Sequence, residues 1–292
     1  FPLDRNYWYF DDEDALHDAL DALAPDFVEV SSPWRSPSIV GRWKGKAPRA
    51  LFMHADPLSA YAYRWFEPVF SRQTIDKRFE PFWQHLRRLS GEFETVVCAS
   101  SELRDRLAEG GVPNTSLQPM GIEEGVFAPA NRDPALRAQL LALCDLPETA
   151  GLLIGVGRLS AEKRWPMAAS ADAPLGLVLL GGGGQERKIL KAIGGNPHIQ
   201  LLKPERNRAR FAAILASADA LVHGCEAETF CLSAAEARAS GVPVIVPDRG
   251  GAADHADSGA GIAYAATDPE DLAAAILEMA SCGWPRTSSP VQ

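Results

Sequence analysis

The strongest constraint on the fold is an alternation of short apolar runs with helix-forming segments, which is clearest in the second half of the chain. Apolar runs of strand length lie at 152–156, 176–180, 199–202, 220–222 and 242–246. Helices are predicted at 133–143, 207–217, 233–240 and 268–280. Parallel strands need crossover connections, and the connecting helices cover both faces of the sheet. The second half therefore predicts a Rossmann-like α/β unit.

The first half shows the same alternation with fewer strands. Strands are predicted at 27–30, 50–53 and 95–98, and helices at 14–22 and 101–108. Three strands are too few for a second complete unit, and the segment 163–176 is too short for an ordinary crossover. We therefore expect the N-terminal domain to be incomplete in this chain.

Composition limits the classes of function. The 292 residues are 46% hydrophobic and 23% charged, which suffices for the cores of two domains. A net charge of −9 argues against nucleic acid as a partner. The five cysteines form no Cys-x-x-Cys pair, so we expect free thiols in a reducing cytoplasm rather than disulfides or zinc ligands. No apolar run reaches the roughly 18 residues that a membrane span requires.

Two glutamates eight positions apart frame a short apolar segment, ETFCLSAAE at 228–236. Helix formers continue from there to Gly241, which suits a left-handed C-cap. Glu236 is therefore predicted on a helix and Glu228 in the loop before it. The N–H groups at a helix N-terminus favour an anion, whereas two carboxylates repel a bare phosphate and suit hydroxyl groups. The segment predicts a site for a nucleotide-sugar.

These residues resemble the Glu-x7-Glu motif of the retaining glycosyltransferases of family 4, which have the GT-B fold. Four further segments resemble motifs of that family: 51–54 (LFMH), 119–127 (PMGIEEGVF), 155–163 (GVGRLSAEK) and 177–184 (LVLLGGGG). The resemblance implies two Rossmann-like domains facing across a cleft, with an acceptor-side domain at 1–127 and a nucleotide-sugar-binding domain at 128–292. It also implies an initial strand and a glycine-rich loop, which we do not find in 1–127.

The resemblance assigns roles to individual residues. Arg158 and Lys163 are expected to bind the diphosphate and to stabilise it as it departs. Glu228 is expected to bind hydroxyl groups of the transferred sugar, and Glu236 those of the ribose. His54, at the end of an apolar strand, matches the active-site histidine of the family. Further residues implied in donor binding are Gly157, Gly182, Phe230, Cys231 and Leu232.

Some positions depart from the family pattern or stay open. The departures are Met120 for asparagine, Gly182 for aspartate and Cys231 for glycine. We expect Cys231 to displace its backbone N–H slightly and donor binding to survive.

His223 follows an apolar pair as His54 does, and both a structural and a functional role stay open. Glu226 is a second carboxylate beside Glu228, and the spacing to Glu236 selects Glu228.

The implied activity is transfer of a hexosyl group from a nucleotide-diphosphate-sugar, with UDP or GDP as the expected nucleotide. The acceptor is a sugar, a lipid-linked molecule or a small molecule, in the synthesis of cell-envelope polysaccharide, glycolipid or small glycosides. The family retains the anomeric configuration and uses neither a metal nor a cofactor. The alternatives are an inactive or regulatory nucleotide-sugar-binding protein and a GT-B sugar phosphorylase or synthase.

The segment 77–89 carries an apolar stripe at helical spacing with arginines off that stripe. The apolar residues are Phe79, Phe82, Trp83, Leu86 and Leu89. Packing of this face on the sheet is the simpler interpretation. The alternative is an interfacial helix that brings a cytoplasmic enzyme to the inner face of an anionic membrane.

Overall fold

The chain forms two compact units, each with its own parallel sheet. The computed structural model describes residues 12–31, 33–56, 58–169, 175–256 and 261–283. The units are Phe1–Pro119 and Met120–Gln292. Residues 120–127, which the predicted domains place in the N-terminal half, are grouped with the second unit. Phe127 packs there against Phe211, with ring centroids 6.0 Å apart.

The first unit is a four-stranded parallel sheet in the order β1-β2-β3-β4. Its strands are β1 Val28–Ser31, β2 Arg49–Met53, β3 Thr95–Cys98 and β4 Thr115–Leu117. Its helices are α1 Glu13–Leu23, α2 Arg35–Arg42, α3 Arg64–Phe66, α4 Arg72–Arg78, α5 Glu80–Ser90 and α6 Ser101–Glu109, with a π-helical segment at Leu58–Tyr63. The three predicted strands are confirmed. Strand β4 was not predicted, because its residues Thr-Ser-Leu form no apolar run.

Helix α5 shows where the apolar stripe of 77–89 lies. Trp83, Leu86 and Leu89 are buried in the core of the first unit, and the partly buried Phe79 and Phe82 pack against it. The helix begins at Glu80, so the N-terminal part of 77–89 belongs to α4 and the turn after it. The packing interpretation is confirmed, and the apolar stripe is not available to a membrane. Within the described residues, no helix combines the length and the apolar character needed to cross a bilayer.

The second unit is a six-stranded parallel sheet in the order β10-β9-β8-β5-β6-β7. Its strands are β5 Leu152–Val156, β6 Gly176–Leu180, β7 Ile199–Leu202, β8 Ala220–Val222, β9 Val244–Pro247 and β10 Gly261–Tyr264. Its α-helices are α7 Pro134–Leu143, α8 Trp165–Ala169, α9 Glu186–Ile193, α10 Arg208–Ser217, α11 Leu232–Ala239 and α12 Pro269–Ser281. Short 3-10 helices lie at Pro129–Asn131, Ala161–Lys163 and Ala253–His255.

The strand order of this sheet determines where a ligand can bind. Counted from β5, the first strand of the unit, the order is the 3-2-1-4-5-6 arrangement of doubly wound dinucleotide-binding sheets. It reverses between β5 and β8, and a crevice opens at the carboxyl ends of strands at such a point. Gly157 follows β5 and His223 follows β8. The loops that begin at these two residues therefore meet at the crevice.

The connection between β5 and β6 is short but makes the crossover. The two strands are parallel neighbours, with Leu152 opposite Gly176. The expectation that 163–176 is too short for this is therefore wrong. The described part of the connection contains α8, whose Trp165 is 1% exposed and covers the sheet with a single large side chain. A Cβ atom at Gly155 would lie 2.7 Å from that ring, so the close packing requires glycine in β5.

Replacing Trp83 tests the assignment of α5 to the core. Trp83→Ala should lower the free energy of unfolding by about 3–5 kcal/mol, because a large buried side chain is removed. Gln84→Ala, on the exposed side of the same helix, should change it by less than about 0.5 kcal/mol. Urea unfolding of the two variants measures both values. Equally small losses would contradict the buried position of this face.

Candidate functional site

The crevice of the second unit holds a carboxylate between two basic side chains. Lys163, in the 3-10 turn after β5, forms an ion pair through Nζ with Oε1 of Glu228. His223, at the end of β8, places Nε2 3.0 Å from the same oxygen. The Lys163 and Glu228 side chains are only 15% and 19% exposed. Because the two loops come from the strands on either side of the switch point, the sheet topology brings these three groups together.

The electrostatics of this cluster favour the charged forms. Burial alone would raise the pKa of Glu228, but His223 and Lys163 reverse this and hold the pKa at about 2. Burial alone would lower the pKa of Lys163, and the Glu228 carboxylate raises it instead. Burial also opposes a charge on His223, but Cys231, Cys225 and Glu228 raise its pKa well above the ordinary value. Glu228 is therefore ionised, and its hydrogen-bonding capacity is directed to cations or hydroxyl groups.

Glu226, the neighbouring carboxylate, has a different partner. Arg164 donates from Nε to Oε2 of Glu226 at 2.8 Å and forms a second contact with Oε1. Arg164 ends the 3-10 turn with a left-handed backbone, with φ of +48°. The two glutamates thus belong to separate ion pairs, and the loop is held to the β5 side at both points.

Glu236 lies on α11 and is held by an arginine from α10. Arg208 donates to Oε1 of Glu236 and to Oε2 of Glu123, each at 2.9 Å. Its guanidinium also lies over the rings of Phe127 and Phe211, at 4.9 and 5.5 Å from their centroids. Burial raises the pKa of Glu236, and Arg208 opposes that shift. The carboxylate is thus fixed in position on the helix, with its side chain 12% exposed.

The loop between the two glutamates delivers the N-terminus of α11 to the crevice. Cys231 is the N-cap of α11 and has φ of +71°, which lies in the left-handed region. Glycine adopts this backbone conformation without strain, whereas a residue with a side chain is strained there. Leu232 begins the helix and is 45% exposed. Phe230 is buried, and its carbonyl accepts a hydrogen bond of 2.7 Å from Nε2 of His255. The N-terminus of α11 therefore directly follows the short loop that begins at Glu228.

Of the other predicted residues, three lie in the loops that follow β5 and β6, and His54 lies in the first unit. The Arg158 side chain is 80% exposed and lies 3.5 Å from the Glu162 carboxylate, so its guanidinium is accessible to an anion from solvent. Gly157 and Gly182 join the β5 and β6 loops: Gly157 donates to Leu180 and Gly182 accepts from Leu159. His54 is exposed at the end of β2, in the first unit, and stacks on Phe52 with a centroid distance of 4.1 Å.

One basic residue of the site, Arg208, was not identified from the sequence, and the role of another, His223, was left open. Arg208 carries no motif, because an arginine in the first turn of a helix is ordinary on a solvated surface. His223 carried a usable signal, since it ends a buried strand at the same sheet edge as the glycine-containing loop. Its position beside Glu228 favours a role in the site over a purely structural one.

Most of the residues described above lie in a segment that matches a known protein family. Residues 145–288 match the family model of glycosyl transferases group 1. A GDP-mannose-dependent alpha-mannosyltransferase of Mycolicibacterium smegmatis is 33% identical over 59% of this chain and 44% of its own length. A GDP-mannose-dependent alpha-(1-6)-phosphatidylinositol dimannoside mannosyltransferase of Mycobacterium tuberculosis is 29% identical over 91% of this chain and 68% of its own. The chain thus spans about half to two thirds of these curated relatives.

Solved structures establish the fold class. Sucrose-phosphate synthase from Thermosynechococcus elongatus has a TM-score of 0.74 at 22% identity, over 94% of this chain and 69% of that one. Anabaena HepE in complex with UDP has a TM-score of 0.71 at 16% identity, over 93% of this chain and 72% of that one. Both are of the GT-B type. The predicted α/β fold of GT-B type, with two Rossmann-like domains, is confirmed.

A glycine behind the loop offers a test of its packing. Gly251 donates to the Glu228 carbonyl at 2.6 Å, and a Cβ there would lie 2.5 Å from backbone atoms of Thr229 and Phe230. Gly251→Ala should therefore displace the loop and lower stability by about 1–3 kcal/mol. Gly184→Ala is the matched control, because its Cβ would meet nothing within 4 Å. Chemical denaturation compares them, and an unchanged Gly251→Ala protein would contradict the tight loop packing.

Proposed function

We propose that this chain binds a nucleotide-diphosphate-sugar in its second unit and transfers the sugar to an acceptor hydroxyl, as a retaining glycosyltransferase that needs no metal. The observation that carries the proposal is the placement of two carboxylates on one loop and helix, each held by a basic side chain. Glu228 is ionised beside Lys163 and His223, and Glu236 is fixed by Arg208. This arrangement lies at the switch point of a Rossmann-type sheet, in the segment that matches the family model.

The chemistry of each side chain determines which part of the donor it would bind. A carboxylate accepts hydrogen bonds from vicinal hydroxyl groups, so Glu228 would hold the sugar and Glu236 the ribose. Lys163, the exposed Arg158 and the N-terminus of α11 would face the diphosphate. They would stabilise the negative charge that develops on the departing diphosphate, which is usually a large catalytic contribution.

Lys163 would change partners when the donor binds. In the structure its ammonium group is paired with Glu228 in a mostly buried place. A diphosphate nearby would compete for the ammonium, and a sugar hydroxyl would compete for the carboxylate. Each charge would then gain a new partner as it loses the old one, so neither is left buried and unpaired. The ion pair thus keeps the site organised without a ligand.

We propose GDP-mannose as the donor, because several relatives carry that dependence in their names. A UDP-sugar is the alternative, since HepE was solved with UDP. The acceptor hydroxyl would belong to a sugar or a lipid-linked molecule, in line with the phosphatidylinositol dimannoside named for one relative. The first unit, with His54, would serve the acceptor side.

A location in the cytoplasm, peripheral to the membrane, accompanies this proposal. The apolar stripe of 77–89 is buried, so a membrane contact through that segment would have to use exposed cations such as Arg88. Such a contact would be weak and sensitive to salt. Anionic-vesicle binding that persists unchanged at high salt would therefore not arise from this helix.

Two alternative functions differ from this proposal in the product that they would form. A nucleotide-sugar-binding protein without activity would bind the donor but form no product. A sugar phosphorylase or synthase would differ in its acceptor, with a phosphate or a sugar phosphate in place of a glycan or lipid hydroxyl. Product analysis with GDP-mannose and these acceptor classes separates the three.

Removal of a single cation tests the diphosphate assignment. Lys163→Ala and Arg158→Ala should each reduce kcat/KM by an amount equivalent to about 2–4 kcal/mol, because one preorganised charge contact with the leaving group is lost. Arg187→Ala, an exposed cation on α9, should retain the wild-type value. Steady-state transfer assays with GDP-mannose provide the comparison. Wild-type kcat/KM in both Lys163→Ala and Arg158→Ala would refute the assignment.

The two glutamates should behave differently in binding experiments. Glu236→Ala should weaken GDP binding by about 1.5–3 kcal/mol, because a charged acceptor for the ribose hydroxyls is removed. Glu228→Gln should leave GDP affinity within about threefold while it reduces transfer by more than about tenfold. Isothermal titration with GDP, alongside transfer assays, measures both. Equal losses of GDP affinity in the two variants would undo the separation of roles.

A further inference from the structure

His223 is a buried polar side chain whose hydrogen-bonding needs are unmet. It is 1% exposed, and neither ring nitrogen has a hydrogen-bond partner within the described part of the chain. The 3.0 Å approach of Nε2 to Glu228 is close enough for an ion pair but is not aligned as a hydrogen bond. A buried polar group left in this state is destabilising, so an additional ligand that contacts the ring would be stabilising.

The groups next to His223 form a mixed set of metal ligands. One ligand atom each from His223, Cys225 and Glu228 lies within 4.8 Å of the others. Cys225 is a free thiol and is 2% exposed, so it is shielded from competing solutes. A second buried free thiol, Cys231, contributes to the raised pKa of His223. Imidazole nitrogen, thiolate sulfur and carboxylate oxygen are the three ligand types of protein zinc sites.

We propose that His223, Cys225 and Glu228 bind one Zn²⁺ ion, with a fourth position left for water or Cys231. Tetrahedral zinc places its ligand atoms about 3.5 Å apart, so small side-chain rotations must bring the three together. The Cys225 thiol and the protonated His223 ring each release a proton to solvent on binding, and the resulting thiolate and the Glu228 carboxylate balance the two positive charges of the ion. Lys163 must release Glu228, because the ammonium group and the metal compete for the same carboxylate.

Zinc bound in this way would block the donor site rather than serve it. This consequence rests on the proposed function, in which Glu228 accepts hydrogen bonds from hydroxyl groups of the sugar. A carboxylate that ligates zinc is no longer free for those hydroxyls, so zinc and the sugar part of the donor should exclude each other. The metal would act as an inhibitor that competes with GDP-mannose, and removal of zinc by a chelator would restore binding.

A metal titration without nucleotide-sugar tests the site directly. The full chain, reduced and freed of metal, is titrated with Zn²⁺ against a chromophoric chelator, in a Cys282→Ser background that removes an exposed thiol. One equivalent should bind, and Cys225→Ser and His223→Asn should each lose at least about tenfold in affinity, the scale of losing one ligand contact. Cys144→Ser, which alters a buried thiol outside the cluster, should bind as the background does.

Cobalt substitution gives a second readout that does not depend on how well the variants fold. Co²⁺ bound to the Cys282→Ser protein should show absorption from thiolate-to-metal charge transfer, and Zn²⁺ should abolish it. Absence of this band, less than one bound equivalent of Zn²⁺, or equal affinity in Cys225→Ser and Cys144→Ser would each overturn the proposal.

Repeating the titration with GDP-mannose separates this proposal from the proposed function. Zinc affinity that falls as GDP-mannose rises supports both. A zinc site of the predicted composition that is indifferent to GDP-mannose keeps the metal proposal and contradicts the sugar-binding role of Glu228. Donor binding without any zinc binding contradicts the metal proposal alone.

Discussion

The candidate site depends on a largely buried carboxylate that is held between two basic groups. The Glu228 side chain is 19% exposed and ionised, and Lys163 and His223 stabilise its charge. Removing either partner would leave a charge poorly compensated, which is costly in a protein interior. The same arrangement is suited to ligand exchange, because a polyol and a diphosphate can each replace one half of the pair. Stability without ligand and readiness to bind are thus properties of a single interaction.

The sheet is what makes that interaction possible. Lys163 and Glu228 are 65 residues apart in sequence, and they meet because β5 and β8 are neighbours on either side of the switch point. The remaining contacts hold the two loops in position: Arg164 bonds Glu226, and Gly251 leaves the space that the loop backbone occupies. Arg208 fixes Glu236 from the side of α10. The topology of the sheet therefore brings the loops of the site together, and the ion pairs then hold their side chains in position.

Much of the fold was predictable from the sequence because the strands of the second unit are continuous apolar runs, as in 176–180. Strands β4 and β10 were missed because they are short, partly exposed edge strands. The spacing of the two glutamates located the loop and α11 correctly, since a C-cap glycine and a buried strand follow them. It could not reveal which cations face them. The role of Arg208 follows only from its contacts with Glu123 and Glu236, which are distant from it in sequence.

A crystal structure of the chain with GDP-mannose would show directly which groups of the donor the two glutamates bind. The diphosphate should lie near Lys163 and the N-terminus of α11, the mannose hydroxyls on Glu228, and the ribose hydroxyls on Glu236. The ion pair between Lys163 and Glu228 should open or be shared with the ligand. A donor bound elsewhere, or one bound there without contact to either glutamate, would contradict these assignments.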